Sequence, residues 1–283
     1  MIYSLLIEED TLSSEIIYSI CFSLLGFLVI YFLVKIYETA YVYRKKKPIY
    51  VHFYPRLRKL SKRKKAILRT NFPFYNKLSD KHKLYFEHRL ECFILDKDFV
   101  SQSQFKITDE MIVLISATAV MLTFGFRDFY IPLISKIVIY PEAFYSNINK
   151  TYHKGEFNPK LKALVLSWKD FQEGYRVDND NLNLGIHEFT HAIHLNSMKE
   201  RDVSSTIFND TFKGLTGLLS NNKELRDKLI SSEYFRGYAY TNQFEFLAVL
   251  IENFIETPDD FRASFPEIYA KVGQMLNFST YRF

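Results

Sequence analysis

The longest apolar run in the chain lies near its N-terminus. Residues 16–34 carry no charge over nineteen positions, and Glu15 and Lys35 flank them. A helix of this length rises about 29 Å, close to the roughly 30 Å of hydrocarbon in a bilayer. The pattern therefore predicts one transmembrane helix over residues 16–36, after a short N-terminal segment, residues 1–15.

This run allows two other interpretations. A cleaved signal peptide has a basic start and a shorter apolar stretch of about 7–15 residues, whereas acids precede this longer run. A buried core helix is the second alternative, but uniform apolarity is unusual for a core helix at a chain end. The transmembrane interpretation is favoured over both.

Beyond residue 70 the apolar positions follow helical and strand periods in turn. Ser79 is a predicted N-cap, and Asp109 opens a second helix. Further helices are predicted over residues 184–196, 244–256 and 266–276, and strands over 136–141 and 162–168, with a loop between the strands. Helices that alternate with few strands predict an α+β domain over residues 71–283.

Positive charge is concentrated in one segment. Residues 44–69 contain twelve Lys or Arg and no acid, although the whole chain carries only +5. Next to a membrane span, such a segment is typical of an arm that lies on anionic headgroups. We therefore assign residues 37–70 to a basic juxtamembrane arm. Nucleic-acid binding is the alternative for this segment, and it is not the favoured one.

The candidate chemistry lies in the sequence HEFTH, residues 187–191. His187 and His191 are four residues apart, so on a helix their side chains share one face and can bind one Zn²⁺. Glu188 can then take a proton from a water molecule in the open coordination position. Two ordinary histidines on a helix are the structural alternative. The two cysteines, Cys21 and Cys92, form no CxxC pair, which argues against a thiolate zinc site.

A third ligand has to come from elsewhere in the chain. The metzincin pattern fails, because His194 and Ser197 stand where that pattern needs Gly and His. His194 is about 10 Å along the helix axis from His187, too far to share the metal easily. Glu245 is the better candidate, since an acid between Phe244 and Phe246 needs a counter-charge. A helix-start carboxylate stabilised by the dipole is its alternative interpretation.

Five segments, in unbroken order, resemble the MtfA (Mlc titration factor A) family of zinc-dependent peptidases. The family's active site is similar to that of the catalytic domain of anthrax lethal factor. The segments are IYPEAF (139–144), LVLSW (164–168), NLGIHEFTHAIH (183–194), YAYTNQFEFLAVLIENF (238–254) and FRASFPEIY (261–269). The resemblance implies a zincin-like domain with a small mixed sheet and an active-site helix.

The resemblance also implies residue roles. It makes His187, His191 and Glu245 the ligands of one Zn²⁺ per chain and Glu188 the catalytic glutamate, while Tyr238 stabilises the tetrahedral intermediate. It further implies peptide or protein substrates, an aminopeptidase-like activity and a transcriptional repressor as partner. The chain departs from the family at His194, where Asp is usual, and in its membrane helix.

The sequence therefore predicts a membrane-anchored zinc metallopeptidase. The alternative is a membrane-tethered zinc-binding module that binds a transcriptional regulator without cleaving it. Both place the chain in the cell (inner) membrane as a single-pass protein, and neither uses nucleic acid as a partner.

The flanks of the span predict its orientation. Four basic residues, 44–47, follow the span and acids precede it, so the positive-inside bias places the C-terminal domain in the cytoplasm. We expect a C-terminal tag to resist protease added to intact cells and to be digested after lysis. Digestion of the tag in intact cells would reverse the orientation.

Overall fold

The computed structural model describes residues 2–102, 105–146, 150–177 and 179–278, and of residues 2–14 it describes only the backbone. The chain divides into two compact units, Met1–Ile49 and Tyr50–Phe283. The second unit thus begins at Tyr50, inside the basic segment 37–70, and the start of a peptidase domain at residue 71 stays a prediction.

The first unit is dominated by helix α1, Ile2–Lys45, which is longer than the predicted span. Its part from Glu15 to Lys45 is long and apolar enough to cross a membrane, and a signal sequence would share these properties. The large apolar side chains of residues 16–34 are exposed along it. The expected apolar N-terminal helix is therefore present.

The second unit contains a small mixed sheet. Its strands are β1 (Asp98–Ser101), β2 (Lys136–Tyr140), β5 (Gly155–Asn158) and β6 (Ala163–Ser167), in the order β1-β2-β6-β5. Strands β1, β2 and β6 are parallel, and β5 pairs antiparallel with β6 at the edge. Strands β3 (Phe144–Ser146) and β4 (Thr151–His153) form a separate antiparallel pair.

The strands β3, β4 and β5 occupy the stretch that was predicted to be a loop. They are three or four residues long and include polar residues such as Thr151, His153 and Asn158. Such short segments lack the apolar alternation that marks a half-buried strand. The two predicted strands, β2 and β6, are confirmed.

Eleven α-helices of the second unit lie within the described residues. They are α2 (Lys62–Asn71), α3 (Pro73–Lys77), α4 (Asp80–Asp96), α5 (Asp109–Leu122), α6 (Trp168–Arg176), α7 (Leu184–Lys199), α8 (Val203–Asn221), α9 (Lys223–Ser231), α10 (Gln243–Glu256), α11 (Pro258–Ser264) and α12 (Pro266–Met275). The predicted N-cap is confirmed, since Ser79 Oγ accepts a hydrogen bond from the backbone N–H of His82. The combination of helices with a small sheet agrees with the predicted α+β class.

Part of the basic segment is folded into this unit. Leu60 and Leu68 are buried in the core around α2. Lys64 pairs with Glu91 at 2.8 Å and Lys65 pairs with Glu87. The C-terminal end of the predicted arm is therefore a helix of the compact unit.

The central helices are buried nearly all round. In α5 every residue from Val113 to Leu122 is buried, as are most residues of α7 and the stretch from Leu247 to Phe254 in α10. Helix α7 packs against both α5 and α10. Each fully buried Leu, Ile or Phe contributes roughly 1.5–3 kcal/mol, so this packing fixes the position of α7 strongly.

A buried arginine closes the C-terminal end of α5. Arg89 is 0% exposed. Its guanidinium donates hydrogen bonds to the carbonyl oxygens of Thr123 (2.8 Å), Phe124 (3.1 Å) and Phe126 (2.7 Å). These carbonyls follow the last turn of α5, where helices leave acceptors unsatisfied and where a cation is favoured by the dipole.

Replacement of this arginine should destabilise the fold. Arg89→Met leaves buried carbonyls without donors, and we expect a loss of about 2–4 kcal/mol in the free energy of unfolding. This loss is measured by urea unfolding of the detergent-solubilised chain, with the fluorescence of Trp168 as the signal. Arg262→Met is the control, because Arg262 pairs with Asp259 on the surface, and we expect a change within about 0.5 kcal/mol. Equal stability of both variants would contradict this role of Arg89.

Candidate metal centre

Helix α7 presents the two histidines of HEFTH on one face. Asn183 is its N-cap, and the side-chain Oδ1 accepts a hydrogen bond from Ile186 N at 3.1 Å. One turn later, the rings of His187 and His191 lie 4.6 Å apart between centroids and are nearly perpendicular. Their Nε2 atoms approach to 3.1 Å. Both nitrogens therefore point to the same small volume.

Helix α10 brings Glu245 to this volume. Asn242 is the N-cap of α10 and accepts hydrogen bonds from the backbone N–H groups of Phe244 (2.8 Å) and Glu245 (3.1 Å). The Oε2 atom of Glu245 lies 2.9 Å from His187 Nε2 and 3.6 Å from His191 Nε2. Three donor atoms from two helices thus lie within 4.8 Å of one another.

The three side chains fit a metal ion. Ligands at about 2.0–2.1 Å from a tetrahedral Zn²⁺ lie roughly 3.3 Å from one another. The observed separations of 2.9, 3.1 and 3.6 Å bracket that value. In addition, the buried Oε2 atom of Glu245 accepts no hydrogen bond of good geometry from the described residues. Two imidazoles and one carboxylate, aimed at a common point, are the donor set of a divalent cation.

Opposite charges hold these groups together. Burial alone would lower the pKa of His187, but the contacts of its ring with the carboxylates of Glu245 and Glu252 outweigh burial and raise this pKa to about 9. For Glu245, burial favours the neutral form, and the contacts with His187 and His191 outweigh it, so the pKa of its carboxyl is lowered. The carboxylate of Glu245 is therefore ionised and available as a ligand.

A second carboxylate fixes the orientation of His187. Glu252 lies two turns after Glu245 on α10 and is 0% exposed. Its Oε1 lies 2.5 Å from His187 Nδ1 and accepts a hydrogen bond from Arg236 Nη2 at 2.9 Å. A proton on Nδ1, shared with Glu252, leaves the lone pair of Nε2 free for a metal.

The predicted catalytic glutamate lies beside the three donor atoms and is not one of them. Glu188 is 7% exposed. Burial raises the pKa of its carboxyl, and the charges of His187 and His191 oppose that shift. A buried carboxylate with a raised pKa is a suitable proton acceptor for a reaction near neutral pH.

Tyr238 lies in a short 3-10 helix, Gly237–Tyr240, that leads into α10. Its ring centroid is 6.1 Å from that of His187, and its side chain is 52% exposed. Burial, followed by the charge of Glu245 and a hydrogen bond to it, raises the pKa of the phenol to about 12. Its O–H therefore stays protonated at neutral pH, on a half-exposed residue next to the centre.

His194 is separated from the three donor atoms. Its ring packs against Phe212 and Phe244, with centroids 4.6 and 4.9 Å away. Burial lowers the pKa of His194 to about 4, so the ring is neutral. His194 is thus part of an aromatic cluster between α7, α8 and α10.

Sequence reasoning did not identify two residues of this centre, Glu252 and Arg236. Glu252 stands in an apolar stretch, 246–254, and a buried acid there signals a partner of opposite charge. The sequence does not show which residue is the partner of Glu252. Arg236 lies in a loop, where no periodicity places side chains, and its Nη1 also donates to Asn181 O at 2.6 Å.

Removal of the charge on Glu252 should weaken metal binding. We expect Glu252→Gln to lower the affinity for Zn²⁺ by about 10–100-fold, since the partner of a metal-binding histidine raises its basicity. Competition with a chromophoric chelator measures the affinity.

The control is Glu256→Gln, one turn further along α10. Burial raises the pKa of Glu256 to about 8, so this carboxyl is largely neutral at pH 7. The amide of Glu256→Gln is also neutral, so we expect the affinity of this variant for Zn²⁺ to stay within about twofold of the wild type. A similar loss in both variants would show that Glu252 acts only through general stability.

Comparisons with known proteins point to a metallo-peptidase. A family model described as glucose-regulated metallo-peptidase M90 matches residues 44–276. The chain is also similar to an uncharacterized protein of Synechocystis sp., with 25% identity over 226 residues that cover 72% of this chain and 79% of the relative.

The family match covers most of the chain and includes every residue of the centre. The resemblance inferred from the five sequence segments is thereby confirmed. The chain belongs to the M90 (MtfA) family of metallo-peptidases.

Proposed function

We propose that this chain is a zinc-dependent peptidase that cleaves peptide bonds with a water molecule activated at the HEFTH helix. The observation that carries this proposal is the convergence of His187, His191 and Glu245, with Glu188 beside them. Zincin-like chemistry needs this combination of three ligands and one free carboxylate. The family of metallo-peptidases to which the chain belongs supports it.

Zinc is the ion that this donor set favours. Two imidazoles and one carboxylate leave a fourth position of a tetrahedral site for water or substrate. When bound, zinc would polarise the scissile carbonyl and lower the pKa of water to about 7. We propose one Zn²⁺ per chain.

The chain's own groups would move the protons. The carboxylate of Glu188 would accept a proton from the attacking water and transfer it to the leaving amine. Tyr238, whose phenol keeps its proton up to a pH of about 12, would donate a hydrogen bond to the developing oxyanion. A single donor of this type can stabilise the transition state by about 2.7–4 kcal/mol.

The half-exposed Tyr238 marks the side from which a substrate would approach. Peptides or proteins are the proposed substrates. An aminopeptidase-like preference is proposed from the family resemblance alone.

The apolar part of α1 is the proposed membrane anchor. Its large side chains at residues 16–34 are exposed along the whole run, and only a bilayer or another apolar partner would cover them. The basic residues 44–47 after it favour the cytoplasmic side for the peptidase unit. A single-pass protein of the inner membrane follows from this proposal.

The sharpest test of the reaction is Glu188→Gln. We expect zinc content to stay at one ion per chain, because Glu188 is not a ligand, while hydrolysis of a peptide library falls by about 10²–10⁴-fold. Metal analysis and mass spectrometry of the cleaved peptides measure the two quantities.

Glu200→Gln is the matched control, since Glu200 is an exposed residue at the C-terminal end of the same helix. We expect it to leave both quantities unchanged. Retained turnover in Glu188→Gln would refute the mechanism. Zinc binding by a wild-type chain that cleaves no peptide would favour the alternative, a tethered module that binds a transcriptional regulator.

A further inference from the structure

Strand β5 comes very close to the catalytic helix at a glycine. Gly155 is the first residue of this edge strand and lies opposite Leu166 of β6. A Cβ atom built on Gly155 would lie 2.7 Å from Glu188 Cγ, 2.7 Å from Glu188 Oε1 and 2.7 Å from Leu184 Cδ1. Real Cβ atoms essentially never approach other heavy atoms to less than 3.0 Å. The side chain of Glu188 thus uses the space that any other residue at position 155 would fill.

Backbone conformation does not explain this glycine. Gly155 is not among the residues with positive φ, so an L-residue could adopt its backbone angles without strain. The close approach to α7 is therefore the constraint at this position, because a larger residue here would have to displace the side chains of Glu188 and Leu184. The two side chains of α7 at this contact are Leu184 and Glu188, and Glu188 belongs to the proposed reaction centre.

The position of the buried Glu188 side chain is limited by packing. Burial and the charges of neighbouring groups account for the pKa of its carboxyl, and among the described residues no donor forms a hydrogen bond with it. Steric contact with β5 is consequently what limits how far the Glu188 carboxylate can move towards that strand. A general base must be held near the atom whose proton it takes, and a misplacement of about 1 Å can reduce the rate about 100-fold.

We propose that Gly155 is a positioning residue for the general base, because the bare backbone of β5 sets where the Glu188 carboxylate stands relative to the three metal ligands. This inference rests on the proposed function. It assigns to the edge strand a role in the chemical step that is separate from metal binding, since the three atoms nearest to the added Cβ belong to Glu188 and Leu184 and not to a metal ligand.

The test is Gly155→Ala, which adds one methyl group at the contact. We expect one zinc per chain, a KM within about twofold of the wild type and a kcat lower by about 10–100-fold. A crystal structure of the variant should show Glu188 Oε1 displaced by about 1 Å with His187, His191 and Glu245 in place. General damage to the strand would instead lower zinc content and raise KM.

Gly273→Ala is the matched control. A Cβ there would lie 3.5 Å from the Phe254 ring, an ordinary contact, so kcat should not change. If Gly155→Ala fails to fold, the same change is made together with Leu184→Ala, which leaves Glu188 as the side chain in the path of the methyl group. Leu184→Ala alone is then the reference.

The proposal is overturned if Glu188 stays in place, if it moves without a loss of kcat, or if zinc is lost. A wild-type chain that binds zinc and cleaves no peptide refutes the proposed function instead. In that case the displaced carboxylate, at unchanged zinc content, still establishes the steric contact by itself.

Discussion

Two helices that pack against each other hold three electron-rich atoms at a single point, and the rest of the structure serves that arrangement. Such atoms are costly to bury unless a positive charge joins them. The carboxylates of Glu245 and Glu252 raise the pKa of the His187 ring, which shows that this point of the structure favours positive charge. A divalent cation would supply that charge, and the separations of 2.9–3.6 Å between the donor atoms suit one.

The residues of α7 could be predicted because their chemistry follows from local geometry. His187 and His191 share one face of their helix wherever that helix lies in the fold. Their spacing alone was therefore sufficient to predict that they lie side by side. The same holds for the N-cap Ser79, whose hydroxyl accepts a hydrogen bond within its own turn. Glu245 was inferred from its apolar neighbours and from the family resemblance, and the structure brings it to the two histidines.

The features that were missed depend on tertiary contacts or on weak local signals. Helix α8 contains Gly214 and Gly217 and many Ser, Thr and Asn residues, all poor helix formers, and its buried side requires the rest of the fold. Strand β1 has four residues, too few for a period to be recognised. The contact of Arg236 with Glu252 joins a loop to a helix, and no pattern in the chain specifies such a pair.

Helix α10 carries Glu245 and Glu252 two turns apart, and its residues between them are buried in the core. Both carboxylates touch the same imidazole, one at each ring nitrogen. A small rotation or shift of α10 therefore changes both contacts at once, so the ring cannot keep one while losing the other. Substitutions at Leu247 or Leu250, which are both fully buried, would reach the metal centre through such a shift of α10, although neither side chain is a ligand.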